Sequence, residues 1–407
     1  MSKRNSQRSQ TAGAETFDVQ VKGFLEMLPT MGYTPSTRHG KRWLVMRFVR
    51  WAQGVGFEVA DLDEVCASTF LVSRGGEPRK MERATLQQFV DYLRTIGVVP
   101  PRTASEPSAA EVMLLRYSEH LRNDRGLCDR SVEVYTPLVR SFLEAQQLPE
   151  DLPSLDASAV RAYLVDRSRN RSGSFVKLLA ASLRSFLRFL FFDGVTDIDL
   201  SKAVPPIRQW RLANVPSFLT PEEIEQVLAA TDRSTKSGCR AYAMLLLLAR
   251  LGLRPGEVAT LGLDDLRWDV GEIVVRGKGR LNVPLPLLDD VGEALELYLL
   301  EVRGKSSSRR VFLRLCAPHV GLSGPTAVCL VARQALQRAG VMPAGRVGAH
   351  IFRHSLATRM LGHGAALGEI AQVLRHRTIE TTQLYAKVDF ESLSGVALPW
   401  PSTEVHQ

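Results

Sequence analysis

The chain has 407 residues, more than one hydrophobic core usually organises, so two or three domains are expected. Its 52 lysines and arginines outnumber 43 acids, and the formal charge of +9 favours a polyanionic partner, since phosphates neutralised by cations release condensed counterions. The longest uncharged apolar stretch near the middle, residues 241–249, stops at Arg250 and falls far short of the ~20 residues a membrane span needs.

The first ten residues, MSKRNSQRSQ, are basic with no apolar core behind them, which fits a flexible tail rather than a secretory signal and points to an intracellular protein. Cys66, Cys128, Cys239, Cys316 and Cys329 are odd in number and lack C-x-x-C spacing, which argues against a disulfide framework or a zinc knuckle. A faint internal echo follows: a shift of 94 places superposes Gly32, Leu44, Val45, Phe48 and Val49 on Gly126, Leu138, Val139, Phe142 and Leu143. Read as a repeat, residues 15–100 form an extra helical domain like the next one, with the basic run 38–50 facing DNA. A protein-docking module is the other reading.

Polar, proline-bearing stretches at 100–107 and 205–216 read as linkers and divide the chain into 1–107, 108–215 and 216–407. Ser108 with Glu111 announces a helix after the first. Within 108–215, Phe175, Leu178, Leu179, Leu183, Phe186, Leu187, Leu190 and Phe191 recur at three- and four-residue steps, a helical core face. Opposite them Lys177, Arg184 and Arg188 fall in line with Ala181, a basic stripe suited to a phosphate backbone and equally to a plain solvated face.

After the second linker Thr220 can cap a helix, Pro221 suits its first turn and Glu223 can close a capping box, so a domain begins near residue 216. Farther on, helical runs surround three antiparallel strands at 266–268, 273–276 and 281–285, with turns at 269–271 and 277–279. Lys278 falls on a hairpin tip. The expected fold is mainly α with a small antiparallel β-sheet.

The polar residues of this last region each have a plain structural alternative. Arg254 follows an apolar helix at a turn forced by Gly252 and Pro255, with Glu257 placed to orient it; a surface arginine at a helix end looks the same. His350 and Arg353 lie one helical turn apart and can point at one ligand. His350 and His354 also have the spacing of a zinc helix, yet Ile351 stands where a metalloprotease has its glutamate, so a metal site is not expected. His376 fits a solvated helix end, and Tyr385 a half-buried aromatic anchor.

Taken together, G-L-R-x-x-E at 252–257, G-K-G in a hairpin, H-x-x-R-H at 350–354, His376 and Tyr385 nine residues later resemble the catalytic domain of tyrosine site-specific recombinases of the phage-integrase type. The resemblance covers residues 216–395 closely and 108–205 more loosely, where the chain looks like that family's SAM-like core-binding domain. It departs in two places: Arg375 stands where the family usually has glycine before the histidine, and Arg254 is followed by Pro255-Gly256.

The resemblance implies helical DNA-binding domains ahead of a catalytic domain that transfers DNA strands with no metal and no nucleotide cofactor. Arg254 and Arg353 would clamp the phosphate, His350 act as base, Lys278 protonate the departing 5′ oxygen, His376 hydrogen-bond the phosphate and Tyr385 form a 3′-phosphotyrosyl bond. It further implies specific sites on double-stranded DNA, a homo- or hetero-tetramer, companion recombinases, the apolar tail 388–400 docking on a neighbour, and service to a mobile element at a bacterial nucleoid. Two alternatives share these residues: a type IB-like topoisomerase, and a DNA-binding helper with an idle site.

Overall fold

In the computed structural model the described residues are 17–101, 108–146, 155–207, 217–277, 282–343, 345, 347–376, 378 and 381–385. The chain folds as two compact units, one of Met1–Pro100 with Asn214–Gln407 and one of Pro101–Ala213. The first unit holds separate hydrophobic cores for 17–99 and 219–352, with a small cluster around Tyr385.

Residues 17–99 form four helices: α1 over 17–30, α2 Pro35–Val55, α3 Glu64–Ser73 and α4 Lys80–Thr95. Gly32, at φ 82°, turns the chain between α1 and α2, a left-handed conformation that glycine adopts without steric cost. Asp63 caps α3 by accepting from the Cys66 amide at 2.8 Å. Phe24 packs edge-on against Phe89 and Phe48 tilts against Phe70, with centroids 5.2 and 5.3 Å apart. Lys41 is buried on α2 and donates to Gln88 at 2.7 Å and Thr85 at 3.2 Å, tying α2 to α4.

Among its described residues the second unit again has four α-helices, α5 Ala109–Asn123, α6 Asp129–Ala145, α7 Ala157–Ser168 and α8 Gly173–Phe192, followed by the short 3-10 helix Leu200–Ala203. Ser108 and Glu111 form the expected capping box. Leu179, Leu183, Phe186, Leu187 and Leu190 fill the core, while Phe191 is 38% exposed. Periodicity placed Phe191 inside; in the last turn of α8 Phe189 and Leu190 take the inward positions, and Phe191 packs on Phe192 instead. Lys177 and Arg188 are exposed, but Arg184 is half-buried and donates to the Val204 and Pro205 carbonyls at 3.3 and 3.1 Å. It ties down the segment after α8 rather than completing an open stripe.

The remaining elements are α9 Pro221–Ala229, α10 Lys236–Ala249, α11 Pro255–Thr260, β1 Leu266–Arg267, β2 Glu272–Arg276, β3 Asn282–Pro286, α12 Asp289–Leu297, α13 Pro325–Arg338, α14 His350–Gly362 and α15 Leu367–Val373. The apolar run ahead of Arg250 becomes the central helix α10, fully buried from Ala243 to Leu248 and packed by α9 and α11 to α14. The sheet is antiparallel in the order β1-β2-β3, with Ile273 opposite Leu285 and Val275 opposite Val283. Lys278 and the tail 388–400 lie outside the described residues. No described helix is long and apolar enough to cross a membrane.

Candidate active site

The site begins where α10 ends. Gly252 adopts φ 58°, and a Cβ there would meet Leu356 Cδ2 and Leu374 Cδ2 at 2.9 Å each, so α14 and the end of α15 close directly on this turn. Two residues later Arg254 is the N-cap of α11, and Pro255 occupies the first helical position, where its missing N–H is no loss. The Pro-Gly departure is therefore a helix start. Glu257, in the first turn, accepts from the Arg254 amide through Oε2 and from Arg254 Nη1 through Oε1, each at 2.8 Å. The Arg254 guanidinium is thereby aimed, and its side chain stays 38% exposed.

Arg353, on the buried face of α14, is only 4% exposed. Its Nη1 and Nη2 donate to the carbonyls of Gly252 and Leu374, joining the turn after α10 to the end of α15. Burial, then Arg254 and Arg375, push its pKa down to about 9, so it is still charged at neutral pH.

Arg375 has φ 54°, the left-handed region that glycine favours. Its side chain turns toward Glu257, with Nη2 2.9 Å from Oε2, and its carbonyl accepts from Arg254 Nη2 at 3.1 Å. The bulk that replaces the family's glycine is stored against Glu257 rather than against His376. Burial pushes the Glu257 carboxyl up, but Arg254 and Arg375 outweigh it and hold its pKa below the usual range.

The hydroxyl of Tyr385 lies 2.9 Å from His354 Nδ1, and the Tyr385 ring stacks at 6° to that of His376, 6.3 Å away. Tyr385 is 2% exposed; burial raises its pKa, opposed by Arg353 and Arg254. His376 Nδ1 shares a 2.7 Å hydrogen bond with the buried Thr382 hydroxyl. When Nδ1 accepts, Nε2 keeps its proton and can donate to a phosphate oxygen. Burial pushes His354 and His376 down to about 4, helped by neighbouring cations, so both rings are neutral at pH 7. His350 heads α14, exposed, and its pKa is lowered by desolvation, Arg353 and Arg254.

The structure thus brings Arg254, Glu257, Arg353, His376 and Tyr385 together, with His350 at the rim. Lys177, Arg184 and Arg188 belong to the other unit. Sequence reasoning passed over three residues that the fold places here: His354, Arg375 and Thr382. His354 was visible in H-x-x-R-H, weighed only as a zinc ligand; Arg375 was visible as a departure; Thr382 had no signal beyond its nearness to Tyr385.

A phage integrase family model matches residues 217–392, and its N-terminal SAM-like domain matches 114–194. The y4rA integrase/recombinase of Sinorhizobium fredii is 38% identical over 388 residues, covering 94% of each chain. Tyrosine recombinase XerD of Xanthomonas axonopodis pv. citri is 31% identical, covering 70% of this chain and 94% of its own. In fold, the post-cleavage complex of XerH with its difH substrate aligns at TM-score 0.56 and 19% identity, over 73% of this chain and 98% of XerH. A lambda integrase (75–356) dimer on a COC′ core site aligns at 0.52 and 17%, over 67% and 94%. With a relative 38% identical over 94% of each chain and both family models matched, the chain belongs to the phage integrase family of tyrosine recombinases.

Proposed function

We propose that this protein is a site-specific recombinase that cuts and rejoins double-stranded DNA through Tyr385. The observation that carries the reading is a phenol hydrogen-bonded to a neutral imidazole and lying in the field of two guanidinium groups of its own chain.

A phosphodiester resists nucleophiles because its non-bridging oxygens repel them, and charge grows in the transition state. Arg254 offers an open planar fork to those oxygens, and the buried Arg353 adds a fixed charge, an arrangement that is preorganised rather than recruited. His376 donates a hydrogen bond through Nε2. The phenol is a poor nucleophile at neutral pH, and an imidazole with a pKa near 4 cannot deprotonate it in advance. The proton therefore passes to His354 as the phosphorus–oxygen bond forms, when the phenolic oxygen loses its basicity. His350, exposed at the helix start, faces the phosphate. By family resemblance Lys278 protonates the departing 5′ oxygen.

The products are a 3′-phosphotyrosyl bond and a 5′ hydroxyl, and attack by a second 5′ hydroxyl reverses the step without ATP. Chain division into 1–107, 108–215 and 216–407 is supported by the separate cores, and assembly on DNA by the dimeric lambda neighbour. We place the protein at a bacterial nucleoid, serving a mobile element together with companion recombinases, as a tetramer whose tail 388–400 docks on a neighbour. The test is covalent trapping on a nicked suicide duplex: the wild type forms a protein–DNA adduct and Tyr385→Phe forms none. Vigorous relaxation of a supercoiled plasmid lacking partner sites would favour a topoisomerase instead.

A further inference from the structure

The helical bundle at the start of the chain matches the SAM-like bundle after it, element by element. Helix α6 starts at Asp129, 94 places beyond the Pro35 start of α2; α7 and α8 start at Ala157 and Gly173, 93 places beyond Glu64 and Lys80. The cap of the third helix matches too, with Asp156 accepting from the Ala159 amide at 2.7 Å as Asp63 accepts from Cys66. So do the cores. Phe24 and Phe48 are fully buried, as are Tyr117 and Phe142 in the second bundle. Phe48 meets Phe70 at 5.3 Å and Phe142 meets Tyr163 at 5.0 Å, the same contact between second and third helices.

We infer that residues 17–99 are a second copy of the SAM-like unit and that they bind the phosphate backbone of duplex DNA through the exposed face of α2. The inference rests on the recombinase reading above. Helix α2 carries five lysines and arginines and no acid in 21 residues. Arg42, Arg47 and Arg50 are exposed, and Trp43, 50% exposed among them, carries the Arg47 guanidinium 4.7 Å from its ring centre. A merely solvated helix gains from mixed charges at i, i+4; Arg38 and Arg42 set like charges there, and Arg47 and Arg50 at i, i+3. A polyanion relieves that repulsion, and an exposed aromatic among cations suits a nucleic acid surface. The bundle formed by α5 to α8 also has one long helix without acids, but there it is α8. The two bundles repeat the same core positions, each in its own core, and differ in which helix carries the cations.

The test uses the full chain and random-sequence duplex DNA, with affinity read by fluorescence anisotropy across a salt series. The triple variant Arg42→Gln, Arg47→Gln, Arg50→Gln should reduce the slope of log affinity against log salt by about 2.7, and Arg47→Gln alone by about 0.9, one phosphate contact each. Unchanged slopes in both variants, with the wild type still binding in a salt-dependent way, would overturn the inference. Loss of self-association at unchanged slope would do the same, assigning the face to a protein partner. Tyr385→Phe provides the separation: it abolishes the covalent adduct and leaves these slopes alone, so failure of the catalytic reading is seen independently.

Discussion

Nδ1 of His354 sits 2.9 Å from the hydroxyl of Tyr385, whereas His350, one turn earlier on the same helix, stands exposed at its start. In the proposed mechanism the imidazole against the phenol receives its proton. His354→Ala should therefore slow single-turnover cleavage of a nicked duplex by roughly 10²–10⁴-fold while DNA affinity holds. A His354→Ala enzyme that cleaves at the wild-type rate, beside an inactive His350→Ala, would return the base to His350.

The two arginines should fail differently. Arg254 is 38% exposed, and without its side chain Glu257 still accepts from the residue-254 amide and from Arg375, so Arg254→Ala should lower cleavage by about 10²–10³-fold with little change in thermal stability. Arg353 is buried and satisfies the carbonyls of Gly252 and Leu374. Arg353→Ala should lose the same catalytic factor and also roughly 1–3 kcal/mol of stability for each carbonyl left unpaired. Thermal unfolding beside the cleavage assay reads both; equal stability of the two variants would contradict the bracing role of Arg353.

Arg375→Gly would restore the family's usual residue and relieve a left-handed backbone, a gain of about 1–2 kcal/mol. It would also remove the partner that, with Arg254, shares Glu257, and a buried pair broken from one side costs about 3–5 kcal/mol. Since both Arg375 and Glu257 side chains are under 10% exposed, the loss should win by about 2 kcal/mol. Glu257 would then be paired with Arg254 alone. Denaturant unfolding of Arg375→Gly checks the sign, and a stabilised variant would show that the ion pair contributes less than the strain.

The readable parts of this protein were those encoded locally. The apolar run before Arg250 dictates a central helix, Thr220 and Glu223 dictate where one starts, and the β-branched run 273–275 between turns at 269–271 and 277–279 dictates a strand. The family motifs named Arg254, Arg353 and Tyr385 because their spacing is itself the signal. What escaped was set by contacts between distant segments. Tyr385 returns to His354 across 31 residues, and Arg375 reaches Glu257 across 118. A stripe drawn by helical periodicity likewise cannot show that Arg184 turns to carbonyls 20 and 21 residues on. Nor can periodicity know where α8 runs out of neighbours, which is why Phe191 was misplaced.

Stability should fall as the medium is acidified through the range between the ordinary histidine pKa of 6.5 and about 4. Burial depresses His354 and His376 in the folded state, so within that range the unfolded chain binds more protons than the folded one. The stabilisation is complete above pH 6.5 and disappears as pH drops toward the folded values. Each ring should add at most about 1.4 kcal/mol per pH unit to the slope. Denaturant unfolding at a series of pH values measures it, and His376→Gln, which cannot take up a proton, should remove one ring's share. A slope unaltered in His376→Gln would mean that this ring titrates alike in the folded and unfolded chains, and that its neutrality beside Tyr385 is not imposed by the fold.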